Sequence, residues 1–90
     1  MVETQEMKLS LLTGTFSKED ALELLTQLVA VKIRFHEAKI KSSANEEDIK
    51  MREKRISLLQ RDLYEYRIAL KGSERVNLQA EISINENQKS

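Results

Sequence analysis

The sequence predicts a mainly α-helical fold: an antiparallel two-helix hairpin flanked by two short β-strands, in the order β-α-α-β. Two long segments, at about 18–41 and 46–71, place apolar residues at helical spacing and are separated by a short polar turn. Near both ends of the chain, apolar and polar residues instead alternate one by one, as they do in a half-buried strand. With 90 residues in total, the chain has room for one small domain.

The two alternating stretches set the limits of the predicted domain. Their apolar residues are Met7, Leu9 and Leu11 in the first stretch and Val76, Leu78, Ala80, Ile82 and Ile84 in the second. Thr13 and Gly14 interrupt the first stretch, so a strand that ends there is predicted. We expect residues 1–6 to be a flexible N-terminus, 7–84 to be one domain, and 85–90 to be a disordered polar tail.

The first helix has a clear start and a broad apolar surface. Ser17 is a good N-cap for it. Its apolar residues cover roughly 200° of the circumference, about twice what one neighbouring helix covers, and so form two stripes. The hairpin core is predicted from one stripe and the second helix, as Leu24, Leu28, Val31 and Phe35 packed against Ile56, Leu59 and Leu63. The other stripe is predicted to be an interface between chains, formed by Leu25, Val29, Ile33, His36 and Ile40.

The turn and the end of the second helix fix the remaining geometry. Only about four residues, 42–45, join the helices, so the helices run antiparallel. Gly72 fits the left-handed position that follows many helices. The strands then emerge at one end of the hairpin and can pair, although two strands alone are marginal in water. A second copy would add two strands and two helices, so the predicted assembly is a four-helix bundle dimer.

Three short stretches, followed by a second charged helix and an alternating tail, form a recognisable pattern. These stretches are Phe16-Ser17, Leu24-Leu25 and Lys32-Ile33-Arg34-Phe35-His36. With them, the chain resembles a group of small uncharacterised bacterial proteins over roughly residues 11–84. The resemblance implies a small intracellular protein of the helical-hairpin type, and it brings no activity, ligand or site.

Charge and composition exclude several classes of function. The 15 Lys and Arg residues balance the 15 Asp and Glu residues, which argues against a protein that mainly holds phosphate backbones or anionic membranes. The chain has no cysteine, so it forms neither disulfides nor a thiolate metal site. No apolar run approaches the ~20 residues of a membrane-spanning helix, and residues 1–6 lack the features of a secretory signal. We expect a cytoplasmic protein without membrane contact.

His36 is the only histidine and the main hint of site chemistry. A helical metal site needs a second ligand one turn away, and Ile40 stands at that position. We therefore predict no catalytic, metal or cofactor-binding residues, and a protein that is not an enzyme.

Three functional hypotheses remain. The first is a non-enzymatic scaffold or protein-interaction module that assembles with itself as a homodimer or tetramer. The second is an adaptor subunit that offers the same apolar stripe of helix 1 to another helical protein, and the sequence leaves both open. The third and weakest is an anion or nucleic-acid binder, because acidic residues interleave with the bases near the turn and no aromatic residues accompany them for stacking. Those bases are Lys32, Arg34, Lys39, Lys41, Lys50, Arg52, Lys54 and Arg55.

Overall fold

A computed structural model describes residues 6–86 and contains two helices and two strands. In chain order they are β1 (Glu6–Ser17), α1 (Lys18–Ser42), α2 (Glu46–Ala69) and β2 (Arg75–Asn85). The two helices form an antiparallel pair, here called the hairpin, and the two strands pair antiparallel as a two-stranded sheet, here called the ribbon. The predicted flexible N-terminus and disordered tail lie mostly outside the described residues, although Glu6 and Asn85 pair with each other at the tip of the ribbon.

The predicted fold class is wrong in its assembly and in the weight given to the strands. β1 has 12 residues and β2 has 11, so the ribbon is about 36 Å long at ~3.3 Å per residue. The 25 residues of α1 span a similar length, about 38 Å at 1.5 Å per residue. The molecule therefore has a helical arm and a β arm of equal length, and a four-helix bundle dimer does not fit it. The stripe of α1 that would have joined two hairpins already faces α2 within one chain.

Side-chain caps define the starts of both helices. The Ser17 hydroxyl accepts a hydrogen bond from the backbone N–H of Asp20 at 3.1 Å, as predicted. At the turn, Oδ1 of Asn45 accepts from the backbone N–H groups of Glu47 and Asp48 at 2.9 and 3.1 Å. Acidic residues in both first turns add a favourable interaction with the helix dipole. The turn is consequently short and well defined.

The end of α2 differs from the prediction. The helix ends at Ala69, and Gly72 does not adopt the predicted left-handed conformation. Instead the backbone N–H of Lys71 bonds to the carbonyl of Ile68 at 3.2 Å, and that of Ser73 bonds to the carbonyl of Leu70 at 3.0 Å. Such tight turns satisfy the last helical carbonyls without a left-handed residue.

β1 runs unbroken through the predicted interruption because of a glycine. Gly14 has a φ of 145°, a conformation that residues with a side chain rarely adopt. It pairs with Leu78 in the middle of the ribbon, and β1 continues directly into α1. The sequence signal for a break is therefore a signal for an unusual strand conformation.

A bulge aligns the apolar residues of the two strands. Leu11 has no partner on β2 and lies between the paired residues Ser10 and Leu12. One extra residue shifts the alternation of β1 by one, so Leu9 and Leu12 lie on the same face. The shared apolar face, here called the ribbon face, comprises Met7, Leu9, Leu12, Phe16, Val76, Leu78, Ala80, Ile82 and Ile84.

The molecule is elongated and has a small core. Its dimensions are 50 × 39 × 15 Å and its radius of gyration is 17.0 Å, compared with about 12 Å for a compact domain of this length. Among residues 6–86, only Ala21 and His36 are buried. The ribbon and the hairpin contact each other near their common end and diverge from there, which leaves much apolar surface uncovered.

Candidate functional site

The contact between α1 and α2 contains a partly buried polar pair. His36 is 4% exposed, and its Nδ1 atom lies 3.1 Å from Nη1 of Arg52. Arg52 also donates from Nε to Oδ2 of Asp48 at 3.2 Å, one helical turn earlier on α2. The Arg52 guanidinium lies 5.9 Å from the centre of the Phe35 ring, within the range of a cation–π interaction. A carboxylate, an imidazole and an aromatic ring thus surround one guanidinium.

The tautomer of His36 follows from the chemistry of its neighbour. Arginine has only hydrogen-bond donors, so Nδ1 accepts from Arg52 and the ring proton is on Nε2. Nε2 is buried and has no hydrogen-bond partner in the described part of the chain. Burial lowers the pKa of this imidazole below the ordinary value of 6.5, and the positive charges of Arg52, Lys32 and Arg55 lower the pKa further. His36 is therefore neutral near pH 7.

Acid is expected to destabilise the hairpin through His36. Because the pKa of His36 is lowered in the folded state, the unfolded chain takes up this proton first as the pH falls. The stabilisation is complete above the unfolded pKa of ~6.5 and is lost progressively as the pH falls from there towards the folded pKa.

Urea unfolding at about pH 7.5 and about pH 5.5 measures the difference in the free energy of unfolding. His36→Gln does not titrate, and its amide oxygen can still accept from Arg52. An equal pH dependence in His36→Gln and the unchanged chain would contradict the assignment.

The structure exchanges the roles predicted for the two stripes of α1: the one predicted as an interface between chains faces α2. His36 contacts Arg52, and the Thr26 hydroxyl accepts from Nη2 of Arg67 at 3.2 Å, so the stripe that contains His36 faces α2. Of the residues predicted to form an interface between chains, His36 is buried within the hairpin and the rest are half-buried, namely Leu25, Val29, Ile33 and Ile40. Of the predicted hairpin core, the half-buried residues are Leu24, Ile56, Leu59 and Leu63. The other three, with exposed fractions of 39%, 57% and 54%, are Leu28, Val31 and Phe35.

A sequence signal for the correct stripe does exist. In the stripe predicted as an interface, His36 is the one polar residue. The apolar seam of α2 has Arg52 as its one charged residue, and it comprises Ile49, Arg52, Ile56, Leu59, Leu63, Tyr66 and Leu70. Each stands eight positions from Ala44 in the turn, so an antiparallel hairpin places them opposite each other. Matching the two polar positions selects the stripe, whereas apolar periodicity alone does not.

A groove between α1 and α2 continues from the ribbon along the hairpin. At the ribbon end, one pocket is lined by Leu25, Tyr66, Leu70, Val76, Asn77 and Leu78. Further along, a second pocket is lined by Lys32, Arg55, Leu58, Leu59 and Asp62. Leu25 and Lys32 are seven residues apart on α1. Leu59 and Tyr66 have the same spacing on α2, so both pockets open on the same side of the hairpin.

Uncovered apolar side chains border this groove beyond the ribbon. Leu28 lies between Leu25 and Lys32 at helical spacing, and Leu58 lines the groove from α2. The groove walls are Leu28, Val31 and Phe35 on α1 and Met51 and Leu58 on α2, with exposed fractions between 38% and 57%. Seven-residue spacing joins Leu28 to Phe35 and Met51 to Leu58, which makes each wall a continuous stripe.

The outer half of the ribbon face is also uncovered. Val76 and Leu78 belong to the ribbon face and line the first pocket of the groove, so this face turns towards the groove. Towards the tip, no other part of residues 6–86 covers this face, and its exposed residues are Met7, Leu9, Ile82 and Ile84, at 43–59%. The groove walls and the outer ribbon face together form one concave apolar surface, here called the apolar corner.

Neither the metal nor the membrane chemistry of other small helical proteins is visible in the described residues. Among residues 6–86, no three His, Asp or Glu side chains lie close enough together to hold a metal ion. In the same part of the chain, neither helix combines the length and apolarity needed to cross a bilayer. The apolar corner groups nine exposed apolar side chains on one surface, and large apolar patches of this kind typically mark protein-interaction sites.

No protein-family model matches this chain, and no curated protein or solved structure shows significant similarity to it.

Proposed function

We propose that this chain is a non-enzymatic, cytoplasmic protein-interaction module that assembles with a second copy of itself through the apolar corner. The single observation that supports this proposal most strongly is the uncovered apolar surface shared by the groove walls and the outer ribbon face. A two-stranded ribbon is marginal in water without further packing. An assembly that covers the ribbon face would supply that packing.

The size of the surface supports a stable contact. The nine side chains of the groove walls and the outer ribbon face are each about half exposed, and together they offer roughly 700 Å² of apolar area. That estimate is close to the ~800 Å² that each partner contributes to an interface of standard size. It also exceeds the ~300–600 Å² of the largest patch on a typical monomer. The formal net charge of zero leaves no overall repulsion between copies.

Light scattering coupled to size exclusion tests the proposal directly. Over concentrations from about 1 to 100 μM, which bracket a micromolar dissociation constant, we expect the molar mass to rise from 10.4 kDa to twice that value. A mass that stays at 10.4 kDa throughout would overturn self-assembly. The adaptor hypothesis, in which a different protein covers the corner, would then be the one to pursue.

A further inference from the structure

We infer that, in the self-assembly proposed above, the groove of each copy receives the acidic ribbon tip of the other copy, with Glu86 of one chain meeting Lys32 and Arg55 of its partner. This inference rests on the proposed function, because it specifies which parts of the apolar corner meet. It follows from the charges that border the corner, which differ in sign between the groove and the tip.

The groove carries two cations that have no ionic partner in the described part of the chain. Lys32 on α1 and Arg55 on α2 line the same pocket, and neither forms a salt bridge within residues 6–86. Asp62 lines this pocket as well, but Nη2 of Arg61 lies 3.8 Å from its carboxylate. The pocket is therefore positively charged, and its floor is apolar.

The ribbon tip carries an acid on the apolar side. Glu86 follows β2 by one residue and has the same parity as Ile82 and Ile84, so the alternation of the strand places it at the end of the ribbon face. It lines a pocket at the tip together with Met7 and Ile84. Within the described residues, Glu86 forms no salt bridge. The apolar residues Ile82 and Ile84 and the acidic Glu86 thus follow one another along the ribbon face.

The groove wall and the ribbon tip match in length as well as in charge. From Leu28 to Phe35 the exposed wall of α1 spans about 10 Å, at 1.5 Å per residue. From Ile82 to Glu86 the exposed ribbon face spans about 13 Å, at ~3.3 Å per residue. Within one chain the ribbon diverges from the hairpin, so its own tip does not cover its own groove. A two-fold axis allows each chain to give a tip and receive one, which closes the assembly as a dimer.

Charge reversal tests this pairing. Lys32→Glu combined with Arg55→Glu makes the groove acidic, and Glu86→Lys makes the tip basic. Each variant alone places like charges in both contacts of its homodimer, and we expect its dimer dissociation constant to rise about 10-fold or more. A mixture of the two variants pairs opposite charges in both contacts, so we expect heterodimers with a dissociation constant within a few-fold of the unchanged chain. Native mass spectrometry, which separates homodimers from heterodimers, gives the readout.

A matched control separates position from charge. Glu6 stands at the same tip but pairs with Asn85, on the polar face of the ribbon. Glu6→Lys therefore changes the net charge as Glu86→Lys does, and we expect it to leave the dissociation constant within about twofold. All of these side chains are exposed, and circular dichroism verifies that each variant remains folded.

The outcomes separate the inference from the proposed function. A monomeric unchanged chain would overturn both. A dimer whose dissociation constant moves less than twofold on charge reversal, or in which Glu6→Lys acts like Glu86→Lys, would overturn the pairing and leave self-assembly intact. Selective heterodimer formation in the mixture supports the pairing.

Discussion

Replacing Ile33 with Asp is expected to destabilise the fold strongly, whereas replacing Val31 with Asp, two residues away, is expected to leave the stability of the monomer nearly unchanged. Ile33 lies on the stripe of α1 that faces α2, and a carboxylate there is desolvated without a partner. We expect this change to destabilise by about 3 kcal/mol or more. Small domains have only about 5–15 kcal/mol of stability in total.

Val31 provides the matched comparison. It is 57% exposed, so Asp at this position stays hydrated and should change the free energy of unfolding of the monomer by only about 0.5 kcal/mol. Valine and aspartate have similar helix propensities, so helix propensity alone is not expected to change the stability of this variant. Urea unfolding followed by circular dichroism, at concentrations below the dimer dissociation constant, compares the variants. Equal destabilisation by the two substitutions would mean that the stripe assignment is wrong.

Replacing Ile82 with Glu is expected to raise the dimer dissociation constant by about 1,000-fold or more, because central apolar contacts in interfaces are worth ~2–3 kcal/mol and a two-fold dimer contains this one twice. Ile82 is 43% exposed on the outer ribbon face and pairs with Leu9. The loss is therefore expected in assembly and not in the fold of the hairpin. Sedimentation equilibrium measures the dissociation constant.

Ser83 is the control for this substitution. It follows Ile82 directly and points to the opposite, polar face of the ribbon, where it pairs with Lys8. Ser83→Glu adds the same charge at the same distance from the tip, and we expect the dissociation constant to change less than about threefold. If Ser83→Glu weakens the dimer as much as Ile82→Glu does, general repulsion explains the effect and the ribbon face is not the interface.

The local elements of this fold are readable in the sequence because each depends on nearby residues. The N-cap at Ser17, the polar turn and the acids after Asn45 fix where the helices begin. Strict alternation from Val76 to Ile84 indicates β2. In these places the physical cause, a cap or a period of two, lies within a few residues of its effect.

The choice between the stripes of α1 could not be made from periodicity. Both stripes repeat every seven residues, and both are apolar, so each satisfies the hydrophobic criterion for facing α2. What distinguishes them is a contact across the hairpin, the hydrogen bond between His36 and Arg52. A charged residue in the seam of α2 needs a polar neighbour, and only one stripe offers it.

The extent of the ribbon and the candidate surface do not follow from the sequence, for a related reason. Thr13 and Gly14 predict a break in the strand, although glycine also permits a strand with an unusual φ. The bulge at Leu11 changes which residues share a face, and a bulge has no fixed local signature. Sequence reasoning did identify an excess of apolar surface on α1. It could not identify the ribbon face as part of the same surface, because that depends on how the two arms meet.

The pairing of the first and last elements of the chain also determines the order in which the molecule forms. Glu6 and Asn85 are separated by almost the whole sequence, whereas the helices meet across a turn of three residues. Loop-closure entropy favours the local contact first, and the helices then bring Ser17 and Arg75 together as the first pair of the ribbon. Closure proceeds from this base towards the tip, so the tip is the last part to form and the first to fray. In the free chain, the ribbon tip is thus expected to have the weakest protection from amide hydrogen exchange. In the proposed dimer, contact with the second copy would order this same segment.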